Sequence, residues 1–266
     1  MEKPLQNKPL KKGKTLFLFD IDGTLVEPKL EIKPNMIEEL KLLHSRDDCE
    51  LAFVSCNDMA NAKTKLKDSL QYFNNYYTEN GVVTYDKDMN IVHKKTMKEL
   101  LGEEKYKKLT DYFMEYIETI DVPFKVGKNY LDERSAVINV SPVGNPISKE
   151  QREQMRIWEA EKHPVEIMRK SCEDKFGDSY GLRFTKGGIK SFDVFPKQWD
   201  KTFCLNFIKE KGYDNIIFFG DNTYFGGADY DLAVHDDVTK GISVKGPEDT
   251  INKINEVLKE IDSLNN

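Results

Sequence analysis

The sequence predicts an α/β protein, in which a parallel-sheet core is interrupted by a smaller α+β unit. Three observations carry this reading. The wholly apolar runs Leu16-Phe17-Leu18-Phe19, Leu51-Ala52-Phe53-Val54 and Ile216-Ile217-Phe218-Phe219 are too short for helices and suit strands buried on both faces. Each run ends in polar residues, at Asp20, Ser55 and Gly220-Asp221, where an open α/β sheet gathers its reactive groups. Between the second and third runs the rhythm changes to charged helical stretches and paired strands, which marks an insertion. On this division residues 1–86 and 198–266 form the core, and residues 87–197 form the inserted unit.

The first strand delivers Asp20 and Asp22 into a turn opened by Gly23. Side chains two apart in an extended segment point the same way, so both carboxylates are expected at one site. Like charges that close are costly without a cation, and a bound Mg²⁺ follows. A bare Asp-Gly would read as an ordinary polar turn, but Asp-x-Asp-Gly-Thr directly after an apolar strand is a much more specific string. Pro34 then suits a first helical position, with apolar residues at helical spacing from Met36 to His44. Asp58 to about Phe73 reads as an amphipathic helix, and Tyr76 to Tyr85 as an extended stretch around Glu79-Asn80-Gly81. Strand and helix alternating in this order imply right-handed crossovers and a parallel sheet.

In the insertion, residues from about 94 to 120 read as helical, with Leu100, Leu101, Tyr106, Leu109, Tyr112, Phe113 and Tyr116 as the expected buried stripe. Tyr130 to Val140 reads as a strand, Ser148 to about Phe176 as one long helix, and Leu182 to Phe195 as a strand pair around Gly187-Gly188. The α/β rhythm then resumes. Lys201 to Lys211 is a helix closed by Gly212, the third apolar run is a strand, and Pro247-Glu248-Asp249 opens a helix to about Leu264.

Composition narrows the function classes. A net charge of −6 among 32% charged residues does not suit a large basic surface for nucleic acid. The early lysines (Lys3, Lys8, Lys11, Lys12, Lys14) read as a solvated, frayed lead-in. No apolar run nears the roughly 20 residues of a membrane span, and no signal-peptide core follows Met1. The four cysteines lack C-x-x-C spacing and read as reduced thiols, which suits a cytoplasmic location and leaves the Asn139-Val140-Ser141 glycosylation triplet unused. Gly177-Asp178-Ser179-Tyr180-Gly181 matches a serine-hydrolase nucleophile pattern. A polar helix rather than a buried strand precedes it, however, and His235 is the only histidine downstream.

Two further residues complete a constellation. Asp221 follows an apolar strand and adds a third carboxylate for the same metal. A lysine is needed against this crowd of anions, and Lys201, opening the preceding helix, is the candidate. The set Asp20-Ile21-Asp22-Gly23-Thr24, Ser55, Lys201 and Asp221 resembles the four motifs of the haloacid dehalogenase (HAD) phosphotransferase superfamily. The resemblance implies a Rossmann-like parallel-sheet core with an inserted α+β cap. It also implies Asp20 as nucleophile, Asp22 as proton shuttle, Lys201 as neutralising cation, and Asp20, Asp22 and Asp221 as Mg²⁺ ligands. An aspartyl phosphate would split one hard phosphoryl transfer into two easier ones.

Other stretches narrow the resemblance. Asn139-Val140-Ser141-Pro142, Ser191-Phe192-Asp193-Val194-Phe195-Pro196, Trp199-Asp200-Lys201, Gly226-Gly227 and Pro247-Glu248-Asp249-Thr250 are similar to the eukaryotic phosphomannomutase family, in the family's order and across both domains. That resemblance implies a mutase acting on mannose 1-phosphate and mannose 6-phosphate through a hexose 1,6-bisphosphate, feeding GDP-mannose synthesis, with Mg²⁺ and a homodimer formed through the caps. It implies that Arg134 and Arg152 grip the distal phosphate of a hexose phosphate, that Ser191 and Asp193 touch the sugar or its phosphate, and that a second ion sits at the Val234 carbonyl, Asp236 and Thr239. Three departures stand out. Asn145 replaces a third cap arginine, with Lys149 nearby as a possible substitute. Lys29 replaces an arginine after the aspartate turn, keeping the charge but losing the bidentate fork. Ser55-Cys56-Asn57-Asp58 replaces Gly-Gly-Ser-Asp, leaving Ser55 or Asn57 to hold the transferring phosphoryl group. The competing readings are a cap-bearing sugar-phosphate phosphatase and a non-catalytic sugar-phosphate sensor.

Overall fold

The computed structural model describes residues 2–186 and 188–265, so Gly187, expected at the turn of the cap strand pair, lies outside the described residues. The chain divides into two compact units, one holding the chain up to Lys94 and again from Trp199, the other Lys95–Gln198.

The first unit is built on seven strands: β1 (Thr15–Phe19), β2 (Cys49–Val54), β3 (Asn75–Thr78), β4 (Val83–Asp86), β5 (Ile91–Lys94), β10 (Asn215–Gly220) and β11 (Lys240–Ser243), in the order β11-β10-β1-β2-β3-β4-β5. From β11 to β3 all pairs are parallel, while β3-β4 and β4-β5 are antiparallel. The expected apolar runs are the central strands. They read as unbroken hydrophobic stretches because both faces are covered. On one face Phe17, Phe19, Phe53 and Phe219 meet α1 (Pro34–His44), α2 (Met59–Leu66) and α9 (Pro247–Asn265). Phe19 and Phe219 stack at 5.0 Å. Each buried ring of this kind stabilises the fold by about 1.5–3 kcal/mol. On the other face Leu16, Leu18, Val54 and Phe218 meet residues 204–208, which include α7 (Leu205–Ile208), and α8 (Tyr230–Ala233).

The second unit carries β6 (Leu131–Glu133), β7 (Ile138–Val140), β8 (Leu182–Lys186) and β9 (Phe192–Pro196) as an antiparallel sheet of order β6-β7-β9-β8. Its helices are α3 (Met97–Leu101), α4 (Glu103–Thr119), α5 (Lys149–Lys162) and α6 (Pro164–Phe176).

The structure departs from the sequence expectations in identifiable ways. The helix expected over 148–176 is broken at His163, which takes φ 52 ahead of Pro164, because a residue before proline is pushed out of the right-handed helical region. Gly102, at φ 79, divides the 94–120 stretch. The stripe buried in α4 is Leu109, Phe113 and Ile117, at i, i+4 and i+8; Leu100 is exposed, and Tyr106, Tyr112 and Tyr116 are half-buried. The helix expected to reach Phe73 ends at Leu66, where Lys67 takes φ 48 and a 3₁₀ stretch follows. Strands β5 and β11 have no counterpart in the sequence reading. Because β5 pairs with β4 on the larger sheet, the chain stays with the core up to Lys94, past the expected boundary after residue 86.

Candidate active site

The site begins with the register of two strands. Phe19 of β1 lies level with Phe219 of β10, and the Asp20 N–H donates to the Phe219 carbonyl at 2.9 Å. Asp20 and Asp221 therefore leave the sheet side by side at the carboxyl ends of adjacent parallel strands. From β1 the chain winds outward through β2 and β3, while β10 and β11 add to the other edge, so this is the switch point of the sheet. Two glycines allow the acids to close in. Gly23 has φ 79, and a Cβ there would stand 2.3 Å from Asp221 Oδ2; a Cβ on Gly220 would stand 2.7 Å from the Asp229 carboxylate carbon.

Lys201 opens a 3₁₀ turn capped by Asp200, whose side chain accepts from the Thr202 N–H at 2.9 Å. The Asn80 amide donates to the Trp199 carbonyl at 3.0 Å, tying the Glu79-Asn80-Gly81 turn to the residues that lead into Lys201. The buried Lys201 ammonium donates to Asp20 Oδ1 and Asp229 Oδ1, each at 2.5 Å. Carboxylate oxygens of Asp20, Asp221 and Asp229 all lie within 4.8 Å of one another.

Asp229 was not a candidate on the sequence reading. It is fully buried, bonded to Lys201, and accepts the Asn222 N–H at 3.0 Å. The available signal was Gly226-Gly227: glycines after an acidic strand end loop the chain back onto the strand it left.

The electrostatics follow from burial. Desolvation pushes the Asp20 carboxyl up to about 7; the Lys201 ammonium pulls it down, and Asp229 and Asp221 add to the rise. Burial likewise holds Asp221 above the usual carboxylate range, reinforced by Asp229. Burial works against the Lys201 charge, but its two carboxylate partners more than offset this and hold it as an ammonium. Three acids against one ammonium leave an excess of negative charge with oxygen donors only, a set that fits a hard divalent cation. Asp20 and Asp221 could hold it, since Lys201 and the Asn222 N–H engage both Asp229 oxygens, whereas Lys201 meets Asp20 at Oδ1. Saturating Mg²⁺ should raise the melting temperature, by an amount equivalent to about 2.7 kcal/mol at a hundred times Kd. Asp221→Ala should remove that increment in a thermal scan with and without chelator.

Two expected arrangements differ in the structure. The Asp22 carboxylate does not join the cluster; it is paired instead with the Lys65 ammonium of α2. Strand alternation stops at Phe19, and Asp22 already lies inside the turn that the Leu25 and Val26 N–H groups close on the Ile21 carbonyl, at 2.9 and 3.0 Å. The oxygens expected to hold a second ion are engaged by the N-terminal segment. The Gln6 amide donates to the Val234 carbonyl at 3.0 Å and to Asp236 Oδ1 at 3.3 Å, and the Lys8 ammonium bonds the Asp236 carbonyl. Thr239 Oγ1 accepts the Ile216 N–H at 3.0 Å and its carbonyl accepts the Lys8 N–H at 2.9 Å. These groups do not fit an open ion site, and Lys8 belongs to a docked segment rather than a frayed one.

Ser55 is buried at the end of β2, and its Oγ accepts the Asn57 N–H at 3.1 Å. Lys29 is exposed at φ 70 and lines one hollow with Asp22 and Lys65. In the inserted unit, the Asn139 amide donates to Asp193 Oδ1 at 2.7 Å and to Ser191 Oγ at 3.2 Å, gathering both residues on neighbouring strands. Burial holds Asp193 above the usual carboxylate range, opposed by Asn139 and Arg134. Arg134 donates to Asp132 Oδ2 at 2.8 Å, and Arg152 is exposed in α5. Asn145 accepts from Lys190, and Lys149 is exposed.

Over residues 36–260 the chain matches the family described as Eukaryotic phosphomannomutase. It is 41% identical to the phosphomannomutase of Encephalitozoon cuniculi over 251 residues, covering 93% of this chain and 95% of that protein. It is 38% identical to that of Schizosaccharomyces pombe over 248 residues (92% and 94%) and 37% identical to that of Saccharomyces cerevisiae over 247 residues (92% and 95%). Among solved structures it resembles the C-terminal domain of Candida albicans trehalose-6-phosphate phosphatase, with TM-score 0.60 at 14% identity over 96% of this chain and 99% of that one. It also resembles a haloacid dehalogenase-like hydrolase from Bacteroides thetaiotaomicron, with TM-score 0.57 at 14% identity over 90% and 91%. At that identity the likeness speaks for the HAD-type fold alone.

Proposed function

The chain belongs to the eukaryotic phosphomannomutase family, and from that membership we propose that it interconverts mannose 1-phosphate and mannose 6-phosphate. The observation that carries the proposal is the buried Asp20–Lys201–Asp229 network beside Asp221, at the carboxyl ends of β1 and β10. Asp20 is the nucleophile and carries the phosphoryl group as a mixed anhydride. The O6 hydroxyl of mannose 1-phosphate gives its proton to Asp22 as its oxygen bonds phosphorus, and the bond between phosphorus and Asp20 breaks. The product, mannose 1,6-bisphosphate, turns round. Asp20 then attacks the phosphorus at C1, Asp22 returns the proton to O1, and mannose 6-phosphate leaves.

Lys201 holds Asp20 in line and faces the phosphoryl oxygens, while Ser55 or Asn57 steadies the group in flight. Asp22, held by Lys65 outside the buried cluster, is not consumed by the Lys201 network. Asp20 and Asp221 would hold Mg²⁺, which would supply positive charge against the phosphoryl oxygens and favour the ionised form of Asp20. A hexose 1,6-bisphosphate primes the cycle by phosphorylating Asp20. In the inserted unit, Arg134 and Arg152 hold the phosphate that does not react, and Ser191 and Asp193 contact the sugar. Lys29, near Asp22, adds a charge for the substrate. A role in GDP-mannose supply for protein glycosylation, a cytoplasmic site of action and a homodimer formed through the inserted unit complete the reading, and these rest on family membership alone. No helix among the described residues is long and apolar enough to cross a membrane.

³¹P NMR of the purified protein with mannose 1-phosphate, Mg²⁺ and catalytic glucose 1,6-bisphosphate tests the proposal. The mannose 6-phosphate resonance should grow without inorganic phosphate. Accumulating inorganic phosphate would make the protein a phosphatase, and an unchanging spectrum would make it a sensor.

A further inference from the structure

Lys190 lies in the segment that leads into β9, and its ammonium bonds Asn145 Oδ1 in the loop that precedes α5. Asn145 is itself anchored, donating from its amide to the Asn129 carbonyl at 3.3 Å. An amide oxygen takes one of the three ammonium hydrogens and cannot neutralise the charge, so it aims the group and leaves the other hydrogens for a ligand.

Partial burial holds Lys190 below its usual range, and Arg152, another cation, adds to the fall. Arg152 and Lys149 both belong to the start of α5, where Ser148 and Gln151 already form a reciprocal cap. Cations at a helix N-terminus oppose the macrodipole, which favours anions there. Glu150 balances Lys149 within that first turn, which leaves Arg152 as the cation beside Lys190, and two facing cations are eased by an anion.

We propose that Lys190, aimed by Asn145, joins Arg152 as a cationic seat for the non-reacting phosphate of the sugar substrate. The assignment rests on the mutase reading above and adds a residue that reading does not include. It also accounts for Asn145, which stands where the related family carries an arginine. The charge enters here on a different stem, from the sheet side rather than from the loop. A lysine holds phosphate as a point charge without the bidentate geometry of arginine, so this seat fixes position more than orientation.

Steady-state kinetics of Lys190→Met with mannose 1-phosphate test the assignment. KM should rise about tenfold to a hundredfold, the loss expected for one charge-assisted hydrogen bond. Turnover of a small acyl phosphate without a distal phosphate should stay within about twofold. In the Lys190→Met background, Asn145→Arg should bring KM back to within about threefold of wild type, which a purely structural role for Lys190 would not allow. An unchanged KM in Lys190→Met, with Arg152→Ala raising it at least tenfold, would overturn the assignment and leave the phosphate seat standing. If neither variant moves KM while wild-type isomerisation persists, the seat itself is wrong.

Discussion

Asp20→Asn is expected to abolish isomerisation, leaving well under a tenth of the wild-type rate, without unfolding the protein. The carboxylate is the group that bonds phosphorus, and an amide cannot form the acyl phosphate. Folding is expected to tolerate the change because Asn Oδ1 still accepts from Lys201, and burial already disfavours a charge at this position. A pH signature accompanies the kinetic one. The Asp20 carboxyl rises from 3.8 to about 7 in the folded protein, so over that interval the folded state binds more protons than the unfolded state. Its contribution is therefore fully present below about pH 4 and is lost as pH rises through 7. Urea unfolding in chelator should show this decline for wild type and a flatter profile for Asp20→Asn. A variant that kept a tenth of the activity would remove Asp20 from the nucleophile role.

Lys201→Met is expected to have the largest effect on stability. It leaves Asp20 and Asp229 buried without the ammonium to which each is bonded at 2.5 Å. Removing one partner of a buried ion pair costs about 3–5 kcal/mol, because the remaining charge has lost both its water and its partner. Urea denaturation in chelator should show that loss. Mg²⁺ should recover part of it, since a second cation then faces the same carboxylates. Turnover should fall by about a hundredfold or more even where the protein stays folded, as positive charge is withdrawn from the transferring phosphoryl group. A stability change below ~1 kcal/mol in chelator would mean that Lys201 is not the counter-charge of this cluster.

How much of this was legible varied from feature to feature. The central strands and the order of the two units were plain, because runs such as Phe17-Leu18-Phe19 and Ile216-Ile217-Phe218 carry a signal confined to a few neighbours. The helix breaks at Gly102 and His163-Pro164 were legible in principle, since glycine and proline act on the backbone beside them. Strand β11 was not. Its Lys240-Gly241-Ile242-Ser243 is a weak pattern that becomes a strand only by pairing with β10, while the N-terminal segment bridges to it at Asn7.

By itself the sequence pointed to the fold class and the family, and it marked Asp20, Lys201 and Asp221 as candidates that the structure brings together. Each is marked by the end of an apolar strand or the start of a helix, and such marks survive without knowledge of distant contacts. Tertiary structure alone decided which acids face one another. Asp20 and Asp22 part company because the chain turns from Ile21 onward and Lys65, from another element, captures the second carboxylate. Asp229 enters the cluster because the loop after Asp221 returns to Lys201, and Lys190 meets Asn145 across 45 residues of chain. The oxygens of Val234 and Asp236 are satisfied by Gln6 and Lys8 from the opposite end of the sequence. Local propensity sets where a strand or helix begins, whereas the direction and charge environment of a side chain beyond its end are set by whatever the fold brings against it.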